Sequence, residues 1–284
     1  MDCYRHCQDL VRDYDNDRYL ATLFCPPEAR PHVFALLAFN AEIARTRETV
    51  SDPLPGEVRL QWWTDTISGR AHGEVASNPV AEALLETIAA CDLPAEPLLA
   101  LIEQRIFDLY DDPMPTEEAL TAYCSATASA LFELTARILA AKAPDPAPEI
   151  DGEVCEHAGQ AYAMTGLLRA LPVHAHRWQC FLPVDLLSRH GLAPSGLFDG
   201  KVSPALASAL AEIRERIDGH RDAIRVRLAG IPQTLLPGLL PLSLLEPYLR
   251  RMAADSYDPF RTVVDLPAWR KIWILWRTAR RAGR

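Results

Sequence analysis

A long apolar stretch, residues 158–171, constrains the fold more than any other part of the sequence. Its apolar side chains recur every three or four residues, which is the spacing of one face of an α-helix. Arg169 interrupts the run near its end, and His174, His176 and Arg177 follow closely. Two interpretations fit this pattern. It is the wall of a pocket with a polar mouth, or a core helix whose basic end suits the negative end of the helix dipole.

Helical spacing continues along almost the whole chain, and no alternating strand pattern of any length interrupts it. The sequence predicts a helix over 3–14, a second capped by Asp17, and a long third helix beginning at Pro26-Pro27. Residues 52–56 are predicted to break the chain. Later helices are predicted near 56–70, 79–91, 94–111, 116–141, 204–228, 233–254 and 266–281. The predicted fold class is therefore all-α. We interpret the Pro/Asp-rich connection near 141–152 as a loop, so residues 1–284 form a single domain.

Charge and cysteine usage exclude some classes of protein. The net charge of −9 argues against a general nucleic-acid binder, which needs a basic face. Seven cysteines without a CxxC motif indicate reduced thiols in the cytoplasm rather than a disulfide or metal framework. The first residues show no apolar signal region, and no apolar run has the length of a membrane span. We therefore expect a cytoplasmic protein.

Eight residues between 159 and 183 keep the spacing of a known motif: Gly159, Ala161, Thr165, Leu168, Arg169, Arg177, Leu182 and Pro183. On these residues the chain resembles the squalene/phytoene synthase family. Segments that begin at Tyr19 and Tyr123 extend the resemblance over nearly the whole chain. The resemblance implies the all-α isoprenoid synthase fold, in which helices surround a deep apolar cavity. The family also has an aspartate near Asp108, for which we expect a surface or capping role here.

The chemistry of this family depends on carboxylates. Its enzymes join two prenyl diphosphates, and Mg²⁺ ions held by two pairs of aspartates stabilise the leaving diphosphate. The four aspartate positions are here Ala44, Glu48, Ala170 and His174. Alanine cannot bind a metal, and neutral histidine is a poor ligand for Mg²⁺. We therefore expect no catalytic residues, no metal cluster and no cofactor. We expect Mg²⁺ as a cofactor, with Glu48 as one of its ligands, only if the chain is an active enzyme with altered ligands.

Basic residues surround these positions, where the family has an acidic rim. Guanidinium groups can bind an anionic head group directly, without a metal. The ligand-binding candidates are Arg45, Arg47, Arg169, His174, Arg177, Tyr19 and Tyr123, with His176 nearby. The candidate ligand is an isoprenoid or lipid phosphate. In the alternative, the arginines pair with Glu42, Glu48 and nearby acids, and the pocket is filled by Phe132, Met164 and Trp178.

The carboxyl-terminal residues 266–284 combine tryptophans with arginines, and no acid follows Asp265. Such a basic, Trp-rich helix is typical of a contact with an anionic membrane surface. This interpretation places the protein peripherally on the inner membrane. The alternative is a terminal core helix with a basic tail.

Two further segments narrow the resemblance to one branch of the family. Phe39-Asn40-Ala41-Glu42 and Gln61-Trp62-Trp63 resemble motifs of a branch that lacks the aspartates and includes the mitochondrial complex I assembly factor 6 group. The branch implies a catalytically inactive assembly or scaffold factor for a respiratory complex, or a subunit of it. Two alternatives stay open. One is an active transferase of farnesyl or geranylgeranyl diphosphate, and the other is a metal-free isoprenoid- or lipid-binding protein.

Overall fold

The computed structural model describes residues 3–70, 75–145 and 150–282, and no β-strand occurs among them. The all-α prediction is therefore confirmed. Part of the 141–152 connection and the last two residues of the basic tail lie outside the described residues. The helices of the amino-terminal half are Cys3–Tyr14 (α1), Asn16–Thr22 (α2), Arg30–Ala44 (α3), Thr46–Thr49 (α4), Pro53–Ile67 (α5), Pro79–Cys91 (α6), Glu96–Arg105 (α7), Glu117–Cys124 (α8) and Ala130–Ala141 (α9).

The carboxyl-terminal half begins with the helix that contains the long apolar stretch. Its helices are Gly152–Arg169 (α10), Leu171–His176 (α11), Val184–Arg189 (α12), Pro204–Arg227 (α13), Leu236–Leu239 (α14), Leu245–Met252 (α15) and Ala268–Ala282 (α16). Short 3₁₀ turns join several of them, including Leu240–Leu244 between α14 and α15.

Helix α10 lies at the centre of the structure. It packs against α8, α9, α13 and α15, and buried residues are distributed around much of its circumference. A helix that is apolar on most sides is a core helix, so the interior position predicted for this stretch is confirmed. The helix ends at Arg169, and Pro172 lies in the first turn of α11, where its missing N–H costs no hydrogen bond.

Three predicted helix starts are wrong, each for a local reason. The carboxylate that caps α2 belongs to Asp15, which accepts from the Arg18 amide, while Asp17 lies inside the helix and is buried. Helix α3 begins at Arg30 with Pro31 in its first turn, so the preceding proline pair forms only a turn. Pro53 begins α5 instead of breaking the chain.

Two long predicted helices are interrupted. A π-helical turn, Ser125–Ser129, separates α8 from α9, and the region predicted as 233–254 divides into α14, a 3₁₀ turn and α15. The first interruption coincides with a close helix contact. Gly159 of α10 lies so near Ser129 that a Cβ at this position would overlap the serine backbone.

The interior around Phe132 holds little empty space. A cavity between α2, α3, α9 and residues 237–241 has a volume of about 20 Å³, enough for about one water molecule. Phe132 and Met164 are buried, as one alternative predicted, but Trp178 is 66% exposed and fills no pocket. This part of the interior has no room for a prenyl chain, unlike the deep cavity that the resemblance implied.

We expect Gly159→Ala to destabilise the fold by about 1–3 kcal/mol, because the new methyl group would displace the π-helical turn. Urea unfolding measures the change. Gly166→Ala on the same helix is the matched control, since a Cβ there meets nothing within 4 Å. That variant should be neutral or gain up to about 1 kcal/mol from helix propensity. Equal destabilisation by both variants would contradict the close contact.

Candidate functional site

The two degenerate motifs meet at neighbouring helix ends. Ala44 ends α3 and Glu48 lies in α4, while Ala170 joins α10 to α11 and His174 lies in α11. Nη1 of Arg177 donates to Oε1 of Glu48 at 3.1 Å. Residues 44–48 and 170–177 therefore form one surface, although they are more than a hundred residues apart in sequence. We call this surface the rim.

Glu48 is the one carboxylate at the four motif positions, and it is already paired. Nε of Arg45 lies 3.3 Å from its Oε2, opposite the bond from Arg177. In the described part of the chain, no three His, Cys, Asp or Glu side chains are grouped so that they could hold a metal ion. Two alanines, one histidine and a neutralised glutamate do not fit Mg²⁺, which takes oxygen ligands in octahedral geometry.

His174 contributes no positive charge to the rim at neutral pH. Its ring lies 4.6 Å from that of Phe181. Burial, together with the positive charges of Arg177 and Arg105, lowers the pKa of His174 to about 4. The imidazole is therefore neutral at pH 7, because it is held beside an aromatic ring and near two guanidinium groups.

The other two arginines of the rim, Arg45 and Arg47, also have partners. Arg47 lies 3.5 Å from the carboxylate of Asp111. The guanidinium of Arg45 lies 3.4 Å from the ring centre of Tyr14, in addition to its contact with Glu48. This pairing follows the alternative in which the arginines neutralise nearby acids, although Glu42 pairs with Arg59 instead.

Arg169 belongs to a different cluster. Its Nη1 donates to Asp17 at 3.0 Å, its Nη2 lies 3.3 Å from Asp265, and its guanidinium stacks over Tyr248. Nζ of Lys271 lies 2.7 Å from Asp17 and 2.8 Å from Asp265. We call these five residues the Asp17 cluster. It joins α2, α10, α15 and α16 with the residues just before α16.

The Asp17 cluster is electrically balanced. Two basic side chains face two carboxylates, and the Tyr248 hydroxyl donates to Asp17 at 2.8 Å. Burial and the adjacent Asp17 raise the pKa of Tyr248, so the hydroxyl stays protonated. Burial also raises the pKa of Asp265, but the hydrogen bonds from Lys271 and the Leu266 amide and the charges of Lys271 and Arg169 together outweigh it, and the net pKa lies below its ordinary range. The protein's own carboxylates thus occupy the position at which Arg169 would bind an anion.

The two tyrosine candidates have other partners, although the Tyr123 ring contacts Phe181, which also contacts His174. Tyr123 is buried, receives a 2.6 Å hydrogen bond from Arg105 and donates to Asp108 at 2.9 Å. Asp108 is therefore a buried partner, and its expected surface role is wrong. Tyr19 stacks on Phe34 with ring centres 5.6 Å apart.

Sequence reasoning did not find the partners of Arg169. Asp17 fits the pattern of a helix cap, and Lys271 is one of the basic residues within 266–284. One signal was available for the lysine. It precedes Ile274 and Leu275 by three and four residues, which places it on the same helix face as two buried aliphatic side chains.

Helix α16 has the core face that one alternative for residues 266–284 predicted, and it also has an exposed, Trp-rich face. Lys271, Ile274 and Leu275 are buried, so one face belongs to the core. Trp269, Ile272, Trp273 and Trp276 are exposed on the other face. Neither α16 nor any other helix in the described ranges has the length and apolarity to cross a membrane.

We expect Lys271→Met to destabilise the protein by about 3 kcal/mol, because Asp17 and Asp265 would then share only Arg169 as a cationic partner. Urea unfolding measures the loss. Adding Asp17→Asn should recover part of it, since the pair is coupled. Arg225→Met, which breaks an exposed pair with Asp222, is the control and should change stability little. If the free-energy changes of Lys271→Met and Asp17→Asn simply add in the double variant, the two side chains are not directly coupled.

A second prediction concerns pH. The folded protein holds His174 with a lowered pKa of about 4, so between pH 6.5 and 4 the unfolded chain binds a proton that the folded chain does not. Stability therefore falls as pH falls, by up to about 1.4 kcal/mol per unit from this residue. His174→Gln should remove this component of the pH slope in thermal melts. Val173→Gln, an exposed change on the same helix, should keep the wild-type slope. An unchanged slope in His174→Gln would disprove the assignment.

The chain is similar in sequence to known proteins over most of its length. The family model for squalene/phytoene synthase matches residues 11–271. The chain is 28% identical over 257 residues to NADH dehydrogenase (ubiquinone) complex I, assembly factor 6 of Bos taurus, covering 90% of this chain and 75% of that protein. It is 25% identical over 285 residues to 15-cis-phytoene synthase of Synechococcus elongatus, covering 95% and 90%.

Solved structures confirm the predicted fold. A dehydrosqualene synthase in complex with a ligand superposes with a TM-score of 0.78 at 16% identity, covering 99% of this chain and 96% of that one. The isoprenoid synthase fold and the resemblance predicted from the motifs are both confirmed. The chain belongs to the squalene/phytoene synthase family.

Proposed function

We propose that this protein is a non-catalytic member of its family that acts in the assembly of a respiratory NADH dehydrogenase of the complex I type. The observation that carries the proposal is the set of residues at the four motif positions, where one carboxylate, that of Glu48, remains and is shared by two arginines. In this proposed role the protein needs no metal or cofactor. It acts in the cytoplasm, at the surface of the inner membrane.

Energetics support the absence of prenyl transfer. Ionisation of a prenyl diphosphate places several negative charges on the leaving group, and Mg²⁺ held by carboxylates stabilises them. Each 1.4 kcal/mol of lost transition-state stabilisation slows a reaction about tenfold. The loss of three of the four carboxylates and the neutralisation of the fourth therefore slow prenyl transfer by many factors of ten. The internal pairing of Arg169 with Asp17 removes a further cation from the reaction site.

The assembly role is carried over from relatives. The similar proteins of Bos taurus and Homo sapiens are both named as complex I assembly factor 6, at 28% identity over 90% of this chain. The phytoene synthase of Synechococcus elongatus is matched at 25%. The lack of motif carboxylates favours the assembly role over the synthase role, because a scaffold needs the fold but not the metal site.

The rival function, an active prenyltransferase with altered ligands, is tested with purified protein. Farnesyl or geranylgeranyl diphosphate is supplied with Mg²⁺ or Mn²⁺, and diphosphate release and hydrocarbon products are measured. We expect neither. Release of diphosphate or a C30 or C40 product would refute catalytic inactivity. A parallel binding measurement in EDTA tests the metal-free ligand alternative, and saturable binding of farnesyl diphosphate would support that alternative instead.

The assembly role is tested in cells that lack the gene. We expect less fully assembled NADH dehydrogenase on native gels, lower NADH:quinone oxidoreductase activity, and unchanged squalene and carotenoid content. Re-expression of the wild type should restore assembly. Glu48→Gln should restore it equally, because the proposal gives this carboxylate no role as a metal ligand. Normal assembly in the deleted cells, together with loss of a prenyl product, would refute the proposal.

A further inference from the structure

Helix α16 presents an exposed apolar stripe that nothing in the described fold covers. Trp269 is 70% exposed, and Ile272, Trp273 and Trp276 are 47–49% exposed. At 100° per residue these four side chains fall within one arc of about 100° on the helix surface. The opposite face is held by Leu275 in the core and by Lys271 in the Asp17 cluster. The stripe is thus fixed outward by the buried side of the same helix.

Arginines lie along and beside this stripe. Arg270, Arg277, Arg280 and Arg281 are exposed, and α16 has no acidic residue. The guanidinium of Arg277 lies 4.4 Å from the ring centre of Trp273, and that of Arg280 lies 5.2 Å from that of Trp276. The surface is therefore aromatic and cationic at the same positions, although the whole chain carries a net charge of −9.

An open apolar groove adjoins the arginine side of the helix. Its volume is about 610 Å³, and its walls include Leu228, Leu236 and Leu242, with Arg225 and Arg281 at the margin. Leu228 is 44% exposed, and the nearby Val226 is 83% exposed. The groove meets α16 at Thr278 and Arg281, so the groove and the stripe lie on different sides of the helix with an arginine between them.

We propose that this surface, formed by α16 and the adjoining groove, binds an anionic lipid bilayer. Tryptophan rings favour the interface between acyl chains and headgroups, and arginines bind lipid phosphates. An anionic bilayer repels a protein of charge −9 except where a basic face is turned toward it. The helix lies in the plane of the membrane with its exposed tryptophans among the headgroups. The inference rests on the membrane location in the proposed function and gives it a physical basis, but it does not depend on the assembly role.

The contact requires little rearrangement. Helix α16 is already formed and anchored through Leu275 and Lys271, so binding does not have to order a disordered segment. The groove beside it offers apolar space for the end of an acyl chain. Because the arginines act through charge, binding depends on both the anionic lipid fraction and the salt concentration.

The test is flotation of the full chain with vesicles of phosphatidylcholine, either alone or with about one third phosphatidylglycerol. We expect binding to the anionic vesicles only, and weakening of that binding when salt rises from about 0.1 M to about 1 M. Vesicles carrying brominated acyl chains should quench tryptophan fluorescence, and this quenching should fall in a Trp273→Ser/Trp276→Ser variant.

Variants separate the two components of the surface. Arg277→Gln/Arg281→Gln should lower partitioning roughly 30-fold, and Trp273→Ser/Trp276→Ser should lower it about tenfold or more. Arg12→Gln/Arg261→Gln removes the same charge from exposed sites outside α16 and is the control for the first pair. Trp178→Ser, an exposed tryptophan outside α16, is the control for the second. Circular dichroism and thermal melts confirm that each variant is folded.

Three results would overturn the proposal. The first is equal binding to neutral and anionic vesicles. The second is a loss of binding in the control variants as large as in the α16 variants. The third is a concentration-dependent dimer, seen by sedimentation equilibrium, that disappears in Trp273→Ser/Trp276→Ser, because a second copy of the chain would then cover the stripe.

Discussion

The buried contact between Asp17 and Lys271 determines how both ends of this chain are arranged. Both side chains are almost inaccessible to water, and Arg169 and Tyr248 complete the cluster. A buried charge without a partner is costly, so each member requires the others. The amino-terminal helix α2, the central helix α10 and the carboxyl-terminal helix α16 are thereby joined at one point. The same contact neutralises the arginine that the family motif places at the end of α10.

Much of the fold could be predicted from the sequence because helices carry a periodic signal. The apolar spacing of residues 158–171 predicted a core helix, and the residues of the second motif indicated the family. Helix boundaries were less predictable, since several prolines compete to begin each helix and only tertiary contacts decide between them. The π-helical turn at Ser125–Ser129 has no periodic signal in the sequence, and neither does its close contact with Gly159 of another helix.

The sequence showed which residues occupy the candidate site, but not which of its charged side chains pair with each other. Ala44, Ala170 and His174 are visible in the sequence, and so is the loss of carboxylates. The prediction treated Arg45, Arg169 and Arg177 as one cationic rim. In the structure Arg45 and Arg177 share Glu48, whereas Arg169 turns to Asp17. Such long-range ion pairs depend on which helix ends meet, and no local pattern encodes that. The neutral state of His174 likewise follows from its burial beside Phe181.

The division of α16 into a core face and an exposed face links these observations. Lys271 is committed to the Asp17 cluster, so the basic character that remains on the helix is carried by arginines on its outer side. The Asp17 cluster occupies the position at which Arg169 would bind an anion. Because Lys271 belongs to the cluster, the cluster also fixes the orientation of the exposed tryptophans and arginines of α16. A fold that no longer has the carboxylates for diphosphate chemistry retains the rigid helical frame needed to position such a surface. Under the proposed assembly role, the physical basis for function lies in what the frame presents to its surroundings rather than in what its interior binds.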